Sequence, residues 1–172
     1  MIDFLELVKK RFSVRNYDPL RMVPEKELNV ILEAGRLAPS AANRQPWKFW
    51  VVQSSEMLEK VRNCYPGEWL KKAPQILIVT GDRKSAWVRK SDSYNAIETD
   101  LTIAMTHMVL AAASIGVATC WIAAFNPLEL RKVLGLSGDE DVYALTPLGY
   151  SAEGVLPGVK ERKAFDEVVR FI

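Results

Sequence analysis

Two arginines and a serine fall close together in Arg11-Phe12-Ser13-Val14-Arg15, which brings two guanidinium forks and a hydroxyl into one short stretch. Bidentate arginine contacts are the strong means of holding a phosphate, and alternation puts Arg11, Ser13 and Arg15 on one side of an extended segment. Lys160 and Arg162 repeat the alternate spacing near the other end of the chain. A different chemistry is offered by Ala38-Pro39-Ser40-Ala41-Ala42-Asn43-Arg44-Gln45-Pro46-Trp47, which joins small residues, two prolines, an amide pair and a tryptophan. Such a loop can lay backbone and short polar groups against a flat, polar-edged ligand while its prolines hold the approach rigid. Taken singly, each group also has a plainer reading: a helix stop followed by a turn for the loop, and a solvated face for the basic pairs.

Other chemistries are poorly supplied. The chain has no GxGxxG run and no Walker A loop, so a nucleotide phosphate must be held another way. Cys64 and Cys120 lie far apart without metal-ligand spacing, and His107 is the single histidine, which argues against a zinc site or a serine-histidine triad. His107 lies on an apolar helix and reads as a core or interface residue, while Cys120 precedes Trp121 in a buried segment and reads as a small core residue. A formal net charge of +2 with no dense basic run excludes nucleic acid or an anionic membrane surface as the expected partner. Any anion bound here is small and locally held.

The elements that must position these groups follow from periodicity. Asp3 and Glu6 resemble a capping box, and Ile2, Leu5, Val8 and Phe12 recur at near-helical spacing, predicting a helix over about 3–10. Pro24-Glu25-Lys26-Glu27 opens a second helix with Leu28, Ile31, Leu32, Gly35 and Ala38 inward, and Pro39 ends it. Strands are predicted over 49–52, 76–79, 117–125 and 142–150, with Pro147 marking an edge or an end, and short helices over 56–63 and 127–134. A long helix over about 95–115 is apolar nearly all round in its second half, as suits a core or a subunit contact. Its first turn carries Glu98 and Asp100, where acidic charge favours a helix start, so neither receives a catalytic role.

Residues 101–128 contain no Asp, Glu, Lys or Arg, but Gly116, several hydroxyls and His107 interrupt the run, which suits a buried helix and strand better than a membrane span. No basic and apolar leader opens the sequence, so a cytoplasmic location is expected. With 172 residues, 49% hydrophobic and 26% charged, a single domain over 1–172 of class α+β is predicted.

RFSVR, APSAANRQPWKFWVV, GVATCWIAAF, TPLGY and KER occur in that order, and together they resemble the nitroreductase family of FMN-dependent oxidoreductases over nearly the whole chain. The resemblance implies a three-layer fold with a central, mostly antiparallel or mixed sheet flanked by helices. It also implies a homodimer with FMN at the subunit interface, reduced by NADH or NADPH. Arg11 and Ser13 match phosphate and ribityl ligands, Phe12 adds backbone contacts, and Arg15 matches the basic residue beside the pyrimidine end of the flavin. Pro39, Ser40, Ala41 and Asn43 match a loop that reaches the flavin largely from the partner. Trp121 and Ile122, with Ala123 alongside, match the segment facing the ring, where a backbone amide serves the hydride-accepting nitrogen; Lys160 and Arg162 match the phosphate contacts of the tail. No side-chain acid or base is required, since the cofactor carries the chemistry and Arg15 stabilises the charge it gains. The expected reaction is ping-pong reduction of nitroaromatics, quinones or another small conjugated acceptor. Dehalogenation, oxidation or non-catalytic flavin binding on the same fold are the alternatives.

Overall fold

The computed structural model describes residues 3–136 and 138–172. Three strands, β1 (Trp47–Val52), β2 (Gln75–Asp82) and β3 (Glu140–Leu148), form an antiparallel sheet in the order β1-β2-β3. The helices are α1 (Phe4–Lys10), α2 (Glu25–Arg36), α3 (Ser55–Arg62), α4 (Ile97–Ser114), α5 (Pro127–Leu134) and the short α6 (Phe165–Val168). β2 is buried from Gln75 to Gly81, so it reads as a continuous apolar run rather than an alternating one. Ile76 and Ile78 face Leu58, Val61 and Leu130 of α3 and α5; Leu77 and Val79 face Ile31, Leu101, Met105 and Met108 of α2 and α4. The three expected layers follow from this double coverage.

Local chemistry sets the element ends. Asp3 accepts the N–H of Glu6 at 3.1 Å, and Asn126 accepts those of Leu128 and Glu129 at the start of α5. Gly135 closes α5 at φ 64°, in the left-handed region open to glycine. Ile2, placed in the apolar stripe of the first helix, lies outside the described residues; Leu5 and Val8 of that stripe are exposed. Between Val79 and Thr80 the β2–β3 register shifts, so that Ala144 and Val142 pair with adjacent β2 residues and Tyr143 is the extra one. This bulge turns Val142 to the α5 side and leaves Tyr143 beside α4.

One predicted strand is corrected. Residues 117–125 make isolated bridges instead of a continuous ladder: Ser13 with Thr119, Ala118 with Gly149, and Ile122 with Leu145. The interruption has a side-chain cause. The hydroxyl of Thr146 accepts the N–H of Cys120 at 3.0 Å, where a ladder would supply a backbone carbonyl, and donates to the carbonyl of Pro147 at 3.1 Å. Pro147 sits near the end of an edge strand, as its missing donor requires.

α4 is less uniformly apolar than its composition predicts. Ile97, Leu101, Ala104, Met105, Met108 and Ala112 are buried, whereas Thr102, Thr106 and Ser114 are exposed. Their hydroxyls donate to carbonyls of their own helix, at 2.6 Å to Glu98, 2.8 Å to Thr102 and 2.7 Å to Ala111. Among the described residues no helix is long and apolar enough to cross a membrane.

Replacing Thr146 with valine keeps the buried volume but strands the Cys120 N–H. A loss of about 1–3 kcal/mol is expected from urea unfolding, with faster amide exchange over 118–122.

Candidate functional site

α1 ends at Arg11, and the chain leaves it extended. Val14 is buried and donates its N–H to Thr119 at 3.0 Å, which turns the residues on either side of it outward. The alternation expected for Arg11, Ser13 and Arg15 is present: Ser13 and Arg15 are exposed on either side of buried Val14, and Ser13 and both arginines act on the Cys120 thiol. Burial pushes the Cys120 pKa up, with Arg15, the Ser13 bond and Arg11 opposing. Phe12 packs against the core on the other side. Burial likewise raises the pKa of Tyr17, whose hydroxyl has no hydrogen-bond partner among the described residues.

The tail returns to this place. Lys160 donates to the carbonyls of Lys9 and Arg11, so it caps the C-terminal end of α1 as well as adding charge. Its pKa is lowered by desolvation and then by the charges of Arg11 and Arg162. Arg162 donates to the carbonyl of Glu161 at 2.7 Å. Among the described residues, no ion pair involves Arg11, Arg15, Lys160 or Arg162. Positive charge is therefore gathered here without an internal counter-ion, which suits an external anion. A cleft of about 220 Å³ opens beside it, lined by Leu7, Arg11, Gly116, Thr119 and Ser151 among others. That is below the roughly 300 Å³ at which small-molecule clefts usually begin.

The Pro39–Trp47 loop lies elsewhere. Residues Ala41–Asn43 form a 3₁₀ turn, and Ala42, Asn43 and Gln45 hold φ of 51°, 54° and 50°. Non-glycine residues in this region are strained by about 1–3 kcal/mol each. The loop is bound mainly to itself: Gln45 donates its N–H to the Ser40 hydroxyl at 2.9 Å and its side-chain amide to Asn43. Outside β1, two bonds tie it to the rest of the chain among the described residues: the N–H of Ala41 donates at 2.8 Å to Oδ1 of Asp100, and the carbonyl of Pro46 accepts the N–H of Asp82 at 2.9 Å. Asp100 is 1% exposed, and its Oδ2 has no hydrogen-bond partner among the described residues. Burial raises its pKa, with the Ala41 bond acting in opposition.

Asp100 is the residue that sequence reasoning passed over. Its helix-start position was explanation enough, yet it falls on the buried stripe with Ile97, Leu101 and Ala104, and that placement was open to reading. Glu98, by contrast, is exposed and stands 3.8 Å from Arg83. Asp100 and the cleft residue Ala113 are thirteen residues apart on α4, which puts the loop and the cationic group about 20 Å apart along one rod.

Between them runs 118–123. The Ile122 side chain is buried, and its N–H and carbonyl are both taken by Leu145, at 2.8 and 3.1 Å. The Ile122 amide is thus already engaged, whereas among the described residues the N–H groups of Trp121 and Ala123 beside it make no hydrogen bond. Trp121 is half-buried and meets Tyr143 edge to face at 6.2 Å, and Ala123 is exposed.

The Nitroreductase family signature matches residues 8–65 and 59–150. A Methanothermobacter thermautotrophicus protein named "Putative NADH dehydrogenase/NAD(P)H nitroreductase" is 34% identical, covering 93% of this chain and 82% of its own. The crystal structure of a nitroreductase family protein from Clostridium difficile 630 superposes with TM-score 0.86 at 31% identity, over 99% of this chain and 98% of that one. An FMN-dependent nitroreductase from Clostridium difficile R20291 superposes with TM-score 0.80 at 26% identity, over 98% of each chain.

A lowered Lys160 pKa means that its charge is complete below that value and lost as pH rises through it. Affinity for a phosphate monoester should therefore be greatest between about pH 6, where the phosphate gains its second charge, and a limit below the ordinary lysine value of about 10.4. Titration calorimetry across that range should show the alkaline decline in the native chain and its absence in Lys160→Met.

Proposed function

The chain belongs to the nitroreductase family and is an oxidoreductase; from that premise we propose that it binds FMN between two copies of itself and uses NADH or NADPH to reduce a small conjugated acceptor. The observation that carries this reading is the separation of the two candidate half-sites. The cationic group and the strained loop lie at opposite ends of α4, and the cleft beside the cations, at about 220 Å³, is small for a ligand on its own. A second copy, packed antiparallel on α4, would bring the loop of one chain to the cations of the other.

The residues fit the cofactor. Arg11, Lys160 and Arg162 would hold its phosphate, as the absence of internal counter-ions among them allows. Ser13 would meet the ribityl chain. Arg15 would place a permanent positive charge at the electron-rich end of the ring. Trp121 or Ala123 would offer the backbone amide, while Pro39, Ser40, Ala41 and Asn43 of the partner would lie along the ring. When bound, FMN would accept a hydride from the nicotinamide and pass two electrons to the acceptor, with the balancing proton drawn from solvent. Nitroaromatics and quinones suit such a flat site.

Further support for a dimer comes from uncovered surface. β1 is a sheet edge, and beside it a groove of about 960 Å³ is lined by Val30, Leu32, Trp47 and Phe49 among others. The tail leaves Phe165, Val168, Phe171 and Ile172 exposed. Laid along a partner's β1, residues 168–172 would bury both apolar surfaces and pair the open edge.

The test is the visible spectrum of the purified chain before and after anaerobic NADH, then NADPH. Flavin bands that bleach with either nucleotide are expected; bands that persist would leave a flavin-binding protein without this reductase activity, and no FMN uptake would overturn the reading. With the reductase in hand, Arg11→Gln should weaken FMN binding by about tenfold or more, whereas Arg15→Gln should mainly slow flavin reduction. Equal effects of the two substitutions on both quantities would defeat that division of roles.

A further inference from the structure

The Ala41–Asp100 bond joins the most strained loop of the molecule to its most buried carboxylate. Three of the residues in 40–45 hold left-handed backbone without being glycine, and such conformations persist only where the surroundings over-determine them. Within the loop, Ser40, Asn43 and Gln45 bind one another. Among the described residues, the one hydrogen bond from 40–45 to the rest of the chain is that from the N–H of Ala41 to Oδ1 of Asp100. Asp100 stands on α4, the rod against which α2 and the sheet pack, so whatever it holds is fixed relative to the core. Its second oxygen is buried without a partner among the described residues, so the carboxylate is a poor choice for stability alone.

We propose that Asp100 is a positioning residue of the redox site, setting through Ala41 the conformation in which residues 40–45 are presented to the flavin. The inference rests on the functional reading above and extends it from the residues that touch the cofactor to one that does not. Asp100 makes no contact with substrate or cofactor; it fixes the plane of the Ser40–Ala41 peptide, from which the directions of Ser40 and Asn43 follow.

Three variants of the full chain separate position from fold. Asp100→Asn retains an oxygen that can accept from Ala41. Asp100→Ala removes the acceptor. Ala41→Pro removes only the donor, and proline suits the first position of the turn because Ser40 before it is already extended, at φ −138° and ψ 157°.

Amide exchange over 42–45 is read without flavin, and kcat with FMN bound and NADH saturating. In Asp100→Ala and Ala41→Pro, exchange should rise by about tenfold or more, as for loss of a hydrogen bond to a charged group, while protection of β2 stays near native. The kcat should fall by about tenfold or more in the same two variants, with phosphate-monoester affinity unchanged and near-native behaviour restored by Asp100→Asn. Unchanged exchange in Asp100→Ala and Ala41→Pro, or raised exchange with native kcat, would overturn the positioning role while leaving the reductase reading in place. Failure of Asp100→Asn to restore both readouts would overturn it as well. A native chain that takes up no FMN would instead remove the functional reading, and the role of Asp100 at a redox site with it.

Discussion

Everything in this molecule is arranged around a strand that meets no water. β2 is covered by α2 and α4 on one face and by α3 and α5 on the other, and its side chains divide between two separate cores. Because both faces are taken, the sheet cannot also offer a binding surface, and the groups able to do chemistry are displaced to its margins. α4 then carries them. One end of that helix anchors the Ser40–Gln45 loop through Asp100, and the other stands beside the meeting point of Arg11 and the tail. On the reading proposed above, the length of the helix keeps the loop and the cations of one chain apart.

The two halves differ in physical character. The cationic half gathers like charges, with desolvation and then Arg11 and Arg162 lowering the pKa of Lys160 and no carboxylate paired to any of them among the described residues. It has positive potential but little enclosure. The loop half differs: its backbone is strained at three positions and fixed by bonds within the loop and to Asp100. An anion with a flat body would draw on both properties, which is the physical content of the proposal that two chains share the site.

Much of this was legible in the residues. Alternation placed Arg11, Ser13 and Arg15 together because the buried Val14 between them leaves an extended chain no other choice. Asp3, Asn126 and Gly135 marked helix ends through local hydrogen bonding that acts within a few residues. What escaped reading was non-local. The strand expected over 117–125 broke because the hydroxyl of Thr146, far along the chain, captures the Cys120 N–H. The bulge at Tyr143 is a matter of register with β2 and has no sign in the local pattern. Asp100 belongs to a third kind: its stripe was visible, but a sufficient local explanation concealed its partner, Ala41. The unsatisfied Oδ2 became apparent only with burial.

The exposed threonines of α4 carry one more implication. Because Thr102 and Thr106 direct their hydroxyls to carbonyls one turn earlier, that face shows water mainly methyl groups while losing no hydrogen bond when water leaves. A surface of this kind tolerates both wetting and drying. It lacks the broad greasy patch that drives indiscriminate clumping, yet its dehydration leaves no orphaned polar atoms. Were two copies to pair across this face, as proposed above, the threonine hydroxyls would keep their partners within the helix and leave only shape to decide the fit.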